Sequence, residues 1–104
     1  MARTPHPAAA HVADVLISRG HHGVLVTHES PVPTARAVAA AHGVEVGAVV
    51  KSLVHLLDDD PVLLLVSGAH NVDLAATGPR IGGTLTHATP EVIRHATGQS
   101  VGSV

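Results

Sequence analysis

The chain has 104 residues, enough for one domain with a modest hydrophobic core and too few to expect two. It is 45% hydrophobic but contains no Phe, Tyr or Trp, which excludes the usual aromatic platforms for unpaired nucleobases. The formal net charge is −2 and the basic residues are scattered, so any RNA contact must be local or assisted by another protein.

The first part of the chain predicts two helices separated by a short strand. Residues 7–19 carry apolar side chains at helical spacing. Residues 24–28 predict a short strand, and the two prolines within 29–33 indicate a loop. Thr34 is predicted to be the N-cap of a second helix, Ala35–His42.

Two apolar runs in the middle of the chain predict a β-hairpin. They cover residues 49–57 and 62–66, and the acidic segment 58–61 between them predicts a turn. Because both runs are almost continuously apolar, we expect the hairpin to be buried on both faces. Consecutive carboxylates without a returning acidic ligand are more typical of a solvated turn than of a cation site.

The last third of the chain has a weaker pattern. A helix beginning at Asp73 is predicted to be interrupted at Gly78 and Pro79, and a short strand is predicted over residues 81–85. A final helix is predicted over residues 89–98. The element order predicts a single α/β (α+β) domain, with a mixed, largely antiparallel sheet flanked by short helices.

Lys51 is the only lysine of the chain, and it lies within an apolar strand. Burial of an ammonium group costs on the order of several kcal/mol unless the charge is paired or reaches water. One interpretation is that Lys51 points outward and extends its ammonium to solvent. The other is that it lines the mouth of a pocket and presents positive charge to an anionic or carbonyl group.

Several segments, taken in order, resemble the YbaK-type aminoacyl-tRNA deacylase and prolyl-tRNA editing family. No single segment is specific for the family, but the order and spacing of the segments together are fairly specific for it. The segments are His28 with Pro31 and Thr34-Ala35, Val50-Lys51-Ser52-Leu53-Val54, the run from Pro61 to Gly68, Asn71-Val72-Asp73-Leu74, Ala88 to Val92, and Thr97-Gly98 with Val101-Gly102.

The resemblance implies a trans-editing hydrolase that deacylates mischarged aminoacyl-tRNA of the prolyl-tRNA type. It implies Lys51 as the central catalytic residue, with His28, Ser52, Gly68 and Gly102 binding the substrate. A lysine ammonium is normally protonated at neutral pH, so its expected role is electrostatic stabilisation of the carbonyl oxygen. The implied partners are the acceptor end of aminoacyl-tRNA and an aminoacyl-tRNA synthetase. No cofactor is implied.

The resemblance also leaves an alternative open. Family members run on past the position of Gly102, whereas only Ser103 and Val104 follow here, so we expect the C-terminal part of the family domain to be missing. The early end and the low positive charge favour a non-catalytic homologue that binds a tRNA acceptor end or a protein partner, whereas the intact Lys51 segment favours the hydrolase. The sequence does not indicate an oligomeric state.

Two further expectations concern metals and location. The ten histidines include no His-Glu-x-x-His pair, so no metal site is predicted. The N-terminus has no signal-peptide pattern and no apolar run approaches the length of a membrane span, so the default expectation is a cytoplasmic protein without membrane association.

Overall fold

The computed structural model describes residues 7–101 and residue 104. The chain divides into two compact units, one before residue 32 and one from residue 32 onward. Within the described part of the chain, no helix is long and apolar enough to cross a membrane.

The described residues of the first unit form one helix, followed by a segment without regular structure. Helix α1 spans Pro7–Ser18 and ends one residue before the predicted end. The strand predicted over residues 24–28 is wrong, because these residues have no regular structure and Val24 is 87% exposed. The sheet found among the described residues has three strands, and residues 24–28 are not part of it.

The helices of the second unit begin at side-chain caps. Helix α2 spans Ala35–His42, and Thr34 Oγ1 accepts the backbone N–H of Ala37 at 3.0 Å. This confirms the predicted N-cap. A short 3-10 turn, Val46–Ala48, follows α2 and leads into the sheet. The final helix, α4, spans Pro90–Thr97 close to its predicted position.

The predicted hairpin forms, with a tighter turn than expected. Strand β1 spans Val50–Leu57 and strand β2 spans Asp60–Ser67, and they pair antiparallel from Val50 opposite Ser67 to Leu57 opposite Asp60. Only two residues connect them, Asp58 with φ 48° and Asp59 with φ 71°. Positive φ at both central residues defines a type I′ turn. Asp60 and Pro61, predicted to be part of the turn, therefore belong to β2.

The hairpin is not buried on both faces, so that prediction is wrong. Leu63 and Leu65 are 56% and 68% exposed, whereas their neighbours Leu64 and Val66 are half-buried. Strand β2 lies at the edge of the three-stranded sheet β2-β1-β3. Successive side chains of a strand point to opposite faces of the sheet, so one face of β2 is partly covered and the other is open to solvent.

The segment after the hairpin also differs from the prediction. Helix α3 continues through Gly78 and Pro79 and spans Leu74–Arg80. Gly78 is buried, and a Cβ there would lie 2.7 Å from the carbonyl oxygen of Gly83, so close packing on the following loop keeps the helix intact. Pro79 lies near the C-terminal end of α3 and has no N–H to donate to the carbonyl of Ala75, so the helix forms despite the loss of one backbone hydrogen bond.

Strand β3 spans Leu85–His87 and pairs antiparallel with β1, opposite residues 55–57. It begins later than predicted because the backbone N–H groups of Ile81 and Gly82 still bond to carbonyls of α3. The hairpin turn is attached to this region, since Asp58 Oδ1 accepts the N–H of Thr84 at 2.9 Å. The predicted fold class, a mixed α/β domain with a largely antiparallel sheet, is confirmed.

Candidate active site

Lys51 is anchored to a loop rather than extended freely into solvent. It is half-buried near the start of β1. Its Nζ donates to the backbone carbonyl of His70 at 2.5 Å and to Asn71 Oδ1 at 3.4 Å. Both acceptors lie in the loop that follows β2. The ammonium thus sits at one end of the hairpin with defined partners.

The loop that holds Lys51 is itself tied to the rest of the second unit. The N–H of Gly68 donates to the carbonyl of Val49 at 2.7 Å, and Ser67 Oγ donates to the carbonyl of Gly47 at 2.8 Å. The N–H of His70 bonds back to the carbonyl of Ser67 at 3.0 Å. The carbonyl that receives the ammonium is therefore presented by a constrained backbone.

Gly68 fits where no larger residue would. A Cβ on Gly68 would overlap the carbonyl oxygen of Val46 and lie 3.0 Å from the Cβ of Ala35. Its N–H already has an acceptor in the carbonyl of Val49, the residue before β1. The visible role of Gly68 is close packing of the loop against the 3-10 turn and α2, and its contact with substrate stays a prediction.

Lys51 and Ser52 point to opposite faces of the sheet, because successive residues of a strand alternate. Ser52 lines a cavity of about 220 Å³, to which Val54 and Ile93 of α4 also contribute. This placement argues against a Ser-Lys dyad. A substrate contact by Ser52 stays a prediction.

Two candidate residues remain, His28 and Gly102. His28 is half-buried and belongs to the first unit, whereas Lys51, Ser52 and Gly68 belong to the second. Its contact with the acceptor end stays a prediction. Gly102 lies outside the described residues, so its predicted role in an oxyanion site also stays a prediction.

Two residues that contact Lys51, His70 and Asn71, were not predicted to be site residues, although Asn71 lies in one of the segments that resemble the family. Their connection to Lys51 depends on the hairpin register, in which Lys51 faces Val66 close to the end of β2. A lysine at that position can reach the residues just past the end of the neighbouring strand. The two-residue turn needed to fix this register was not predicted.

A second polar cluster lies on the sheet between β1 and β3. His55 is only 8% exposed and sits directly opposite His87, with ring centroids 5.4 Å apart. Burial, and then the neighbouring His87, lower the pKa of His55 below its ordinary value. Among the described residues, no group of three or more His, Cys, Asp or Glu side chains could hold a metal ion.

The fold and the anchored lysine can be compared with known proteins. A family model described as an aminoacyl-tRNA editing domain matches residues 29–104. The chain therefore belongs to the aminoacyl-tRNA editing domain family, as the resemblance of its motifs implied. No curated protein matches the chain.

Solved structures share this fold. A crystal structure of a candidate trans-editing enzyme for prolyl tRNA synthetase is 39% identical, with a TM-score of 0.86 over 95% of this chain. A scaffold protein used for epitope backbone grafting by computational design is 35% identical, with a TM-score of 0.84 over 93% of this chain. The chain spans 64% and 63% of their respective lengths. A hypothetical protein, APE2540, shares the fold with a TM-score of 0.75 at 23% identity. The match covers 88% of this chain and 61% of that protein's chain.

Proposed function

We propose that this chain carries the lysine-centred part of an aminoacyl-tRNA deacylase site and hydrolyses mischarged tRNA of the prolyl-tRNA type. The observation that supports this most directly is the anchored ammonium of Lys51, the only lysine of the chain, within the segment that matches the editing-domain family. The similarity to a candidate trans-editing enzyme for prolyl tRNA synthetase supports the choice of substrate class.

Lys51 acts by electrostatic stabilisation in this proposal. An ammonium group has three N–H donors. The carbonyl of His70 and the amide oxygen of Asn71 use two of them, which leaves one for the substrate. That donor stabilises the negative charge that develops on the ester carbonyl oxygen.

The remaining chemistry requires no protein nucleophile. The oxygen of a water molecule bonds to the ester carbonyl carbon, the bond from that carbon to the ribose oxygen breaks, and a proton goes to the ribose oxygen. Ser52 is a poor candidate for the attacking group because it lies on the face opposite Lys51.

The composition supports a role for a partner in tRNA recognition. With a net charge of −2 and no aromatic residues, the chain offers neither many phosphate contacts nor stacking platforms. We propose that it contacts only the acceptor end, and that a synthetase supplies affinity for the rest of the tRNA.

A deacylation assay on a panel of mischarged tRNAs tests the proposal. We expect the wild-type chain to release the amino acid, and Lys51→Ala to lower the rate at least about 100-fold, the usual cost of losing a group that stabilises the oxyanion. Arg94→Ala removes an exposed cation from α4 and serves as the matched control, with an unchanged rate.

Two outcomes would contradict the proposal. Equal rates for the wild type and Lys51→Ala would remove Lys51 from the mechanism. Binding of tRNA or of a synthetase without turnover of any substrate would favour a non-catalytic homologue.

A further inference from the structure

The two contacts of Lys51 differ in what they can do for its ammonium group. The carbonyl of His70 is a single backbone acceptor, and Asn71 adds a side-chain acceptor from the next residue. We propose that Asn71 is a positioning residue, which fixes the direction of the third N–H of Lys51. This inference rests on the proposed function, since it assigns that third N–H to the substrate.

A second acceptor is needed because the lysine side chain is long and flexible. Its ammonium is a compact charge on a four-carbon stem, with donors that rotate freely about the last bond. One acceptor fixes one donor and leaves the other two to rotate around it. A second acceptor on a different side stops this rotation, so that the free donor keeps one direction before the substrate arrives.

The backbone around Asn71 is suited to this role. The loop is held by the bonds from Gly68 to Val49 and from Ser67 to Gly47. The N–H of Ala69 also bonds to Ser67 Oγ at 3.3 Å. A constrained loop loses little conformational entropy when it holds the ammonium, so the two acceptors are in place before the substrate binds.

The chemistry of the amide also matters. A carboxylate at position 71 would hold the ammonium more strongly, because it adds the attraction of a full negative charge to the hydrogen bond. It would also offset the positive charge that the carbonyl oxygen of the substrate needs. A neutral amide orients Lys51 and leaves its charge available. This difference predicts that Asn71→Asp separates positioning from catalysis.

Nuclear magnetic resonance can follow this contact directly because the chain contains one lysine. Labelling with ¹⁵N-lysine gives a single ammonium resonance, and exchange of its protons with water reports whether the group is held. We expect Asn71→Ala to speed this exchange several-fold and Asn71→Asp to retain slow exchange. His70→Ala is the matched control, because Lys51 contacts the carbonyl of His70 and not its side chain.

Deacylation rates give the second readout. Asn71→Ala should lower kcat about tenfold, the effect of a charged donor losing one acceptor, with little change in KM. Asn71→Asp should also lower kcat while keeping the ammonium held. Asn71 is exposed, so neither variant should unfold; if the alanine variant does, Asn71→Ser replaces it in both measurements.

The outcomes separate this inference from the proposed function. Unchanged proton exchange in Asn71→Ala overturns the positioning role, whatever the deacylation rates are. Faster exchange in a chain that deacylates no tRNA supports the anchoring of Lys51 and contradicts the proposed function. Faster exchange together with the tenfold loss of kcat supports both.

Discussion

Replacing Gly68 with alanine tests whether the loop that receives Lys51 depends on close packing. The added Cβ would lie 3.0 Å from the Cβ of Ala35 and 3.3 Å from Val46 Cγ2, and it would overlap the carbonyl oxygen of Val46. Carbon atoms normally meet at about 3.5–4.0 Å. The overlap is with backbone, which cannot rotate away, so the loop must shift.

The expected cost of Gly68→Ala is that of overpacking, about 1–3 kcal/mol of unfolding free energy. For a domain of this size, each kcal/mol lowers the melting temperature by roughly 4–8 °C. Gly47→Ala is the matched control. Its Cβ would make ordinary contacts, 3.6 Å from the Cβ of Ala69 and 3.7 Å from Ser67 Oγ, so its stability should stay within about 0.5 kcal/mol of the wild type.

Thermal and urea unfolding, followed by circular dichroism, measure both variants against the wild type. A shifted loop should also move the carbonyl of His70, so Gly68→Ala should speed proton exchange at the Lys51 ammonium. If Gly68→Ala has the melting temperature of the wild type and Gly47→Ala has a lower one, the packing argument is refuted. If Gly68→Ala is destabilised but Lys51 stays held, the loop does not transmit the shift.

Two further predictions concern His55 and the hairpin turn. Because the pKa of His55 is lowered by burial and then by His87, the unfolded chain binds its proton more readily, and stability should fall as the pH drops below about 6.5. The urea midpoint of the wild type should therefore fall more between about pH 7.5 and about pH 5.5 than that of His55→Leu. His95 is exposed, so His95→Leu is the control and should lose as much as the wild type. Equal losses in all three proteins would contradict this prediction. Asp59→Gly should raise the unfolding free energy by a few tenths to about 1 kcal/mol in the same assay, because Asp59 has φ 71° in the type I′ turn, and a loss of stability would argue against that turn.

The features that the sequence predicted well depend on local interactions. Thr34 caps α2 as expected, and Thr89 caps α4 in the same way, because an N-cap hydroxyl bonds to a backbone N–H only three residues away. The two apolar runs of the hairpin formed strands for a related reason, since a short turn joins them.

The features that the sequence missed depend on distant contacts. Residues 24–28 have strand-like composition, but no strand forms without a hydrogen-bonded neighbour. Gly78 and Pro79 normally interrupt a helix, yet the contact of Gly78 with the loop at Gly83 holds α3 together. Tertiary packing outweighed local propensity in both cases.

At the candidate site, Lys51 could be identified from the sequence, but its contacts could not. The composition alone identified Lys51 as unusual, because a single lysine in an apolar run is conspicuous. Its partners, His70 and Asn71, follow it by about 20 residues, as the sequence separations of the two bonds show. Only the register of the hairpin reveals that the two segments meet.

This register connects the chemistry of Lys51 to the turn at the other end of the hairpin. Side chains alternate along a strand, so a slip of one residue between β1 and β2 would move the covered residues of a strand to its open face. The two-residue turn at Asp58 and Asp59 sets the pairing that places Lys51 opposite Val66, roughly 23 Å away along the strand. The loop after Ser67 can then bring its acceptors to the ammonium. Strain at Asp59 therefore bears on the position of the Lys51 ammonium as well as on stability, although the turn lies at the opposite end of the hairpin.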